Sequence, residues 1–180
     1  MAIKPVLLYP QDEKKLRTRS QKVKKMHTEV QTLMQDLKDT LLTKPGAGLA
    51  APQIGVHKRI VVVRFGQDEG EMQAPLALVN PVILETGPLT KGFDGCLSLP
   101  RISTWDTLRP AWLRFRAQDE SGKPFEMKVE GIDAALVHHE VDHLDGIFFL
   151  DRLSGGAKLY ISMTTEEGEK LVLLDNLSSL

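Results

Sequence analysis

The spacing of apolar residues predicts a helix in the first quarter of the chain. Apolar side chains recur at intervals of three and four residues, the period of one helix face, at Val30, Leu33, Met34, Leu37 and Leu41. The segment Thr28-Glu29-Val30-Gln31 has the form of a capping box with Thr28 as the capping residue. Pro45 and the glycines after it end the pattern. We therefore expect an amphipathic helix that covers the core, followed by a loop.

Extended segments are predicted where apolar residues form short β-branched runs or alternate with polar ones. Residues 59–65 form such a run, and residues 76–84 read as a second segment interrupted by Asn80-Pro81. Residues 112–117 and 125–130 alternate apolar and charged side chains, as half-buried strands do. Turn-forming residues lie between these last two segments, so we expect them to pair as an antiparallel hairpin.

A second helix is predicted over residues 133–143, which mix apolar, histidine and acidic residues without proline or glycine. Asp145-Gly146 supplies a stop signal after it. Residues 154–180 remain open between helix and strand. The pattern indicates an α+β fold, in which antiparallel strands pack around this central helix.

Composition narrows the class of protein. The chain has 180 residues, 42% of them hydrophobic, with a formal net charge of −1, which favours one globular core over disorder and disfavours charge-driven coating of nucleic acid. No apolar run approaches the ~20 residues of a membrane span, and we expect neither a membrane helix nor a signal peptide. With Cys96 as the single cysteine, no disulfide forms within the chain, which suggests the reducing cytoplasm.

The predicted second helix contains the motif H-E-x-x-H as His139-Glu140-Val141-Asp142-His143. Residues four apart lie on one helix face, so both imidazoles can reach one metal ion while Glu140 faces the remaining coordination position. This arrangement is typical of a metallohydrolase. The alternative is that His139 and His143 are ordinary polar residues of a helix.

Cys96 is the candidate third ligand, because a catalytic metal commonly takes three protein ligands and leaves a position open for water. It lies in Gly95-Cys96-Leu97-Ser98, where the flanking glycine permits close approach of the backbone. A soft, anionic thiolate suits zinc or ferrous iron. The alternative for a lone cysteine is a small buried hydrophobe.

Three separated motifs make the sequence resemble the peptide deformylases, which remove the formyl group from the initiating methionine of new polypeptides. Residues 46–53 resemble the family's G-x-G-L-A-A-P-Q, residues 94–98 its E-G-C-L-S, and residues 138–146 its Q-H-E-x-D-H-L-x-G. Their order and spacing match as well, and the resemblance extends from about Leu7 to Leu153. It implies one catalytic domain over residues 1–180, with residues 154–180 as a variable C-terminal tail.

The resemblance implies a role for each motif residue. The implied metal ligands are Cys96, His139 and His143, and the implied general acid and base is Glu140. The side-chain amide of Gln53 and the backbone N–H of Leu97 are expected to hold the oxyanion. The substrate backbone is expected along the glycine loop, at Gly46, Ala47 and Gly48.

Several positions depart from the family pattern or resist alignment. Ala47 stands where a branched aliphatic residue is common, which predicts a wider methionine pocket, and Asp94 replaces a glutamate. His138 replaces a glutamine, for which we expect a structural role. A substrate-contacting arginine follows the cysteine motif in many members, and here Arg101 and Arg109 both qualify. Trp105 is open between the substrate groove and a packing role.

The expected cofactor is one divalent metal ion per chain. The resemblance implies Fe²⁺, while the same ligands also accept Zn²⁺, Ni²⁺ or Co²⁺. The expected partners are N-formylmethionyl nascent peptides, together with a transient contact with the ribosome. We expect no membrane and no sequence-specific nucleic acid. A lysine-rich run over residues 13–25 reads as a solvated surface, with contact to an anionic partner as the alternative.

Two other functions compete with deformylation. A zinc peptidase also uses H-E-x-x-H, although Cys96 and the absence of a third histidine soon after His143 disfavour it. The other is a noncatalytic, metal-stabilised binding module that retains the architecture. The presence of both Glu140 and Gln53 disfavours this second alternative.

Overall fold

The computed structural model describes residues 2–66, 72–165 and 168–174. Three α-helices lie in this part of the chain: α1 (Glu13–Leu16), α2 (Thr28–Leu42) and α3 (Gly131–Leu144). The strands in the first half of the chain are β1 (Gly48–Ala50), β2 (Ile60–Val63), β3 (Leu76–Thr86) and β4 (Leu89–Cys96). Those in the second half are β5 (Leu99–Pro110), β6 (Trp112–Gln118), β7 (Pro124–Glu130), β8 (Leu159–Thr165) and β9 (Gly168–Leu174). Short 3-10 turns follow β1 at Ala51–Ile54 and follow α3 at Phe149–Arg152.

The strands form two antiparallel sheets. The first has five strands in the order β1-β2-β3-β6-β7, and the second has four in the order β4-β5-β8-β9. Helix α3 contacts strands of the first sheet and also β5 of the second, so it lies between them. Val137, Val141 and Leu144 of α3 pack into a buried cluster with β2, β3, β6 and β7 of the first sheet. The α+β prediction, with antiparallel strands around a central helix, is confirmed.

The predicted amphipathic helix is α2, and its apolar face is buried as expected. Met34, Leu37 and Leu41 pack against β1, β2 and β3 in a second cluster. The capping prediction is wrong. His27 precedes the helix in extended conformation and makes no side-chain capping bond. Thr28 already belongs to the helix, where its hydroxyl has no place in a capping box.

The predicted strands are present, with one instructive difference. Strand β3 runs through Asn80-Pro81 without a break, and its register to β6 shifts between Val79 and Val82. Asn80 adopts a φ of 52°, in the left-handed region that asparagine tolerates. Pro81, which has no N–H to donate, therefore lies where the pairing between β3 and β6 is irregular. The predicted hairpin is β6–β7, in register from Trp112 opposite Glu130 to Gln118 opposite Pro124.

Several elements were absent from the sequence prediction. Helix α1 (Glu13–Leu16) lies within the lysine-rich run, and β1 (Gly48–Ala50) lies within the segment that was expected to be a loop. Strands β4 and β5 form a long hairpin around Cys96, although Gly92, Gly95 and Pro100 interrupt its pattern. In the tail, the open choice resolves to strands, since β8 and β9 pair from Leu159 opposite Leu174 to Thr165 opposite Gly168. None of the helices in the described ranges has the length and apolar character needed to cross a membrane. The division into one domain with a variable tail stays a prediction.

Candidate active site

Helix α3 carries the three polar residues of the H-E-x-x-H motif on its buried side. His139, Glu140 and His143 are all less than a tenth exposed. One helical turn separates the two histidines, and their Nε2 atoms lie 3.1 Å apart. Helix α3 ends at Leu144, and two residues later Gly146 has a φ of 74°, in the left-handed region that favours glycine. A Cβ added at Gly146 would lie 2.2 Å from the carbonyl oxygen of Arg17. The chain can therefore leave the helix immediately after the motif.

Cys96 lies in the four-stranded sheet, and its Sγ completes a cluster of ligand atoms with the two histidines. It ends β4, and its Sγ lies 3.2 Å from Nε2 of His143. One ligand atom from each of Cys96, His139 and His143 lies within 4.8 Å of the other two. Ligands of a tetrahedral metal bound at about 2.0–2.3 Å stand about 3–4 Å apart. The donor set and its spacing fit one divalent metal ion.

Asp94 orients the His139 ring by a hydrogen bond to Nδ1, the ring nitrogen that is not part of the ligand cluster. Its Oδ1 lies 2.7 Å from Nδ1 of His139, which places the proton on Nδ1 and presents Nε2 to the cluster. Burial raises the pKa of Asp94, but His139 and Arg109 outweigh that effect and hold it at about 2. The carboxylate is therefore ionised. The aspartate in place of glutamate still reaches the histidine.

Arg109 is the centre of a buried ionic network behind the histidines. Its guanidinium donates to Asp94 at 2.9 Å and to Asp142, and NH1 lies 2.7 Å from Nδ1 of His138. Burial lowers the pKa of His138 to about 4, so its imidazole is neutral and accepts this hydrogen bond. His138 thus has the structural role that we expected. Arg109 is 2% exposed and does not line the cleft.

Glu140 has the environment of a proton-transfer group. It is 3% exposed, and its Oε2 has no hydrogen-bond partner among the described residues. Burial raises the pKa of its carboxyl to about 7. Gly48 of β1 lies directly opposite, where an added Cβ would lie 2.2 Å from Oε1. The glycine makes the room that the carboxyl group occupies.

The amide of Gln53 is held in one orientation. Its Oε1 accepts a hydrogen bond from the backbone N–H of Ala50 at 2.8 Å. The Nε2 group therefore points the other way, where it donates to Ser98 Oγ at 3.1 Å and lies 3.5 Å from Cys96 Sγ. Ser98 also donates its backbone N–H to that sulfur at 3.4 Å. A fixed N–H donor thus lies beside the ligand cluster.

One open cleft of about 450 Å³ lies beside the ligand cluster. The sequence-predicted residues that line it are Gly46, Ala47, Gly48, Gln53, Cys96, Leu97, His139 and Glu140. His143 joins them through its contacts with Cys96 and His139. The structure therefore brings together all nine predicted site residues, from three separate segments of the chain.

The cleft also has an apolar wall that sequence reasoning missed. Ile132, Ala135 and Leu136 of α3 line it next to His139. The spacing of these four residues is three, one and three, so they share one helix face, and that signal was available in the sequence. Arg101 lines the cleft too, with Nε donating to the carbonyl oxygen of Ser162 at 2.7 Å. Of the two candidate arginines, the structure places Arg101 at the cleft.

Comparisons with known proteins agree with this geometry. A family model described as "Polypeptide deformylase" matches residues 3–158. A peptide deformylase from Alkalilimnicola ehrlichii is 42% identical over 154 residues, which are 86% of this chain and 84% of the relative. The range that the family model matches therefore includes all three motifs and the Cys96, His139 and His143 cluster.

Solved structures extend the similarity to the fold. A peptide deformylase from Legionella pneumophila is 37% identical, with a TM-score of 0.75 over 86% of this chain and 88% of its own. One from Ehrlichia chaffeensis, in complex with actinonin, is 33% identical, with a TM-score of 0.78 over 86% of this chain and 91% of its own. At these identities both sequence and architecture are shared.

Proposed function

Because the chain belongs to the polypeptide deformylase family, it is an enzyme that removes the N-formyl group from nascent peptides, and we propose that the cleft beside α3 catalyses this hydrolysis. The products are formate and a peptide with a free methionyl amino group. The proposal rests on the buried carboxyl group of Glu140. This group lies beside the Cys96, His139 and His143 cluster, and one of its oxygens has no hydrogen-bond partner among the described residues.

We propose that Cys96, His139 and His143 bind one divalent metal ion. When bound there, such an ion supplies a Lewis acid that polarises a carbonyl oxygen and lowers the pKa of water. Burial and the neighbouring His139 lower the pKa of His143, which keeps its imidazole in the neutral form that a ligand needs. The resemblance favours Fe²⁺, and the same donors accept Zn²⁺, Ni²⁺ or Co²⁺.

Glu140 moves the proton in this proposal. Its carboxylate accepts a proton from the water that attacks the formyl carbon, and then donates a proton to the departing amine nitrogen. The C–N bond breaks in that second step, so the carboxylate is regenerated and no other proton donor is required. A pKa of about 7 allows the same group to act as base and as acid near neutral pH.

Two N–H donors stabilise the charge that develops on the formyl oxygen. Gln53 supplies its oriented side-chain amide, and Leu97 supplies its backbone N–H after the cysteine. Removal of one such donor typically lowers the rate by about 10²- to 10³-fold. Gly46, Ala47 and Gly48 form the cleft wall along which the extended substrate backbone binds.

The cellular setting follows from the substrate. We propose a cytoplasmic enzyme, since nascent chains are made there and a reducing compartment keeps Cys96 a thiol. A transient encounter with the ribosome is supported by the exposed side chains of the basic run, namely Lys14, Lys22, Lys24 and Lys25. A single catalytic domain over residues 1–180, with a variable tail from 154, remains part of this proposal.

Formate release from formyl-Met-Ala-Ser tests the function. The wild-type chain, reconstituted anaerobically with Fe²⁺, should release formate rapidly. The Glu140→Ala variant should bind one metal ion per chain and lose turnover. The control is Glu29→Ala, which removes an exposed carboxylate of α2 and should behave as the wild type.

Other outcomes would contradict the proposal. Comparable turnover by Glu140→Ala would remove Glu140 from the mechanism. Tight binding of the formyl peptide by the metal-loaded wild type without formate release would favour a noncatalytic binding module. Cleavage of unformylated peptides would favour a peptidase, against which the cysteine ligand already argues.

A further inference from the structure

Exposed apolar side chains cover one face of the four-stranded sheet beside the cleft. Phe93 on β4 is 52% exposed, Trp105 on β5 48%, and Leu171 and Leu173 on β9 50% and 48%. Tyr160 on β8 lies among them and is half-buried. We call these five residues the outer-face ladder. Neighbouring apolar side chains on the same exposed face mark a binding surface more often than isolated ones do.

The register of the strands places the ladder on one face. Tyr160 of β8 pairs with Ser103 of β5 on one side and with Leu173 of β9 on the other, and residues that pair directly share a face. Trp105 lies two residues beyond Ser103, so it projects to that face as well. On the opposite face, Ile102 and Leu159 are buried in the third apolar cluster, whereas Met163 and Val172 are exposed. The outer face has no corresponding cover among the described residues.

Ring contacts join the ladder into a continuous surface. The Phe93 and Trp105 rings meet edge to face with centroids 5.3 Å apart, and the Trp105 and Tyr160 rings do so at 5.5 Å. These contacts hold the rings in fixed positions despite their exposure. Three rings at this spacing span the width of roughly three extended residues at about 3.3 Å each.

The ladder begins at the cleft. Phe93 and Ser103 both line the cleft that contains Cys96 and Glu140. Since Ser103 pairs directly with Tyr160, the cleft wall continues into the ladder without a change of strand face. A peptide that leaves the cleft over β4 and β5 therefore reaches Trp105 next.

The uncharged side chains of the outer-face ladder indicate which kind of ligand this surface binds. Its side chains carry no charge, and the nearby Lys91 and Asp106 neutralise each other at 2.9 Å. We propose that the ladder binds apolar side chains of the substrate peptide downstream of its first three residues. The inference rests on the proposed function and extends it to a preference for nascent chains with an apolar segment near the amino terminus.

Peptides of two lengths test the inference through formate release. The short substrate is formyl-Met-Ala-Ser, and the long apolar substrate is formyl-Met-Ala-Ser-Gly-Leu-Phe-Leu. A polar peptide of equal length, formyl-Met-Ala-Ser-Gly-Ser-Asn-Ser, controls for length. The wild type should show a kcat/KM about tenfold higher for the long apolar peptide than for the other two, mainly through a lower KM.

Variants of Trp105 locate the effect. Trp105→Ser should remove the advantage of the long apolar peptide and leave turnover of formyl-Met-Ala-Ser unchanged, whereas Trp105→Phe should retain most of the advantage. The matched control is Leu42→Ser, which removes a side chain that is 56% exposed at the end of α2 and does not line the cleft. This control should keep the wild-type preference.

Three results would overturn the inference. One is equal kcat/KM for the three peptides in the wild type. Another is a parallel loss for every peptide in Trp105→Ser. The third is a dimer that dissociates on Trp105→Ser, as seen by sedimentation, with peptide preference unchanged; the ladder would then bind a second copy of the chain. Absence of formate release from every peptide would instead refute the proposed function on which the inference rests.

Discussion

Gly48 determines where the Glu140 carboxyl group lies. Substitution Gly48→Ala places a methyl group 2.2 Å from the present Oε1 position, so the carboxyl group has to move. A displacement of about 1 Å at a reacting group lowers rates by about 100-fold, and we expect a kcat loss of that order with metal content unchanged. Steady-state formate release, together with metal analysis, measures both quantities.

Gly155→Ala is the matched control for that substitution, because an added Cβ there meets nothing within 4 Å. It should retain wild-type kcat and thermal stability. A Gly48→Ala enzyme with wild-type kcat would show that the carboxyl group works from another position.

Asp94 fixes the metal-binding tautomer of His139, so its charge should affect metal affinity. In Asp94→Asn the side chain has the same size but no longer carries the negative charge that faces His139 Nδ1 and Arg109. Loss of such an outer partner typically costs about 10- to 100-fold in metal affinity, and we expect that decrease here. Competition with a chelator of known affinity provides the measurement.

Asp94→Glu is the informative companion, because it keeps the charge and introduces the glutamate that the family pattern favours. It should bind metal more tightly than Asp94→Asn. Equal affinity of the asparagine variant and the wild type would mean that packing alone orients His139.

At the scale of elements, Asn80 connects the sheet to the segment before α2. Its Oδ1 accepts from the N–H of Val23, and its Nδ2 donates to the Val23 carbonyl and to Gln118, at 2.8–2.9 Å. It also holds the φ of 52° at the irregularity in β3. Asn80→Ala should therefore destabilise the fold by about 2–3 kcal/mol, since partly buried partners lose their hydrogen bonds and alanine disfavours that φ.

Urea denaturation followed by circular dichroism measures this loss. Asn80→Gly should be less destabilised than Asn80→Ala, because glycine accepts the positive φ although it forms none of the side-chain bonds. If the two variants had the same stability, backbone conformation would have no part in the effect.

Elements and site residues differ in how far the sequence determines them. Helices α2 and α3 and the β6–β7 hairpin follow from local sequence patterns, whereas the four-residue helix α1 was not predicted. The H-E-x-x-H spacing directly predicts that His139 and His143 face one ligand position. The β4–β5 hairpin was missed because glycine and proline interrupt its alternation while a bulge between Gly92 and Asp94 absorbs the irregularity. The partnership of Asp94, Arg109 and Asp142 joins three distant segments, and no local pattern encodes such a contact.

At the scale of the whole molecule, hydrogen bonds from the amino-terminal segment hold the carboxyl-terminal end of α3 in place. Arg17 donates to the carbonyl oxygen of Gly146 at 3.2 Å, and the N–H of Ser20 donates to the carbonyl oxygen of Leu144 at 2.8 Å. Arg59 forms a two-pronged ion pair with Asp145 from the loop before β2. The end of the helix that carries His143 is thus tied to chain far away in sequence, which restricts its movement relative to Cys96.

The Arg17–Asp151 pair belongs to this fastening and predicts a pH dependence of stability. Burial raises the pKa of Asp151, but hydrogen bonds from Arg17 at 2.6 Å and from the N–H of Phe148 at 2.8 Å outweigh it, so the pKa lies below its ordinary value. A carboxyl group with a lowered folded-state pKa stabilises the fold above its ordinary pKa of about 4, and the contribution is lost as pH falls through the folded-state value.

Asp151→Asn should therefore be less stable than the wild type by about 1 kcal/mol at pH 7, a small loss because both partners are more than a third exposed. Urea denaturation at several pH values between 3 and 7 should show this difference shrinking below about pH 4. Metal release at low pH affects the wild type and the Asp151→Asn variant alike, so the difference in their free energies of unfolding is the quantity to follow. If that difference stayed constant down to pH 3, ionisation of Asp151 would not stabilise the fold.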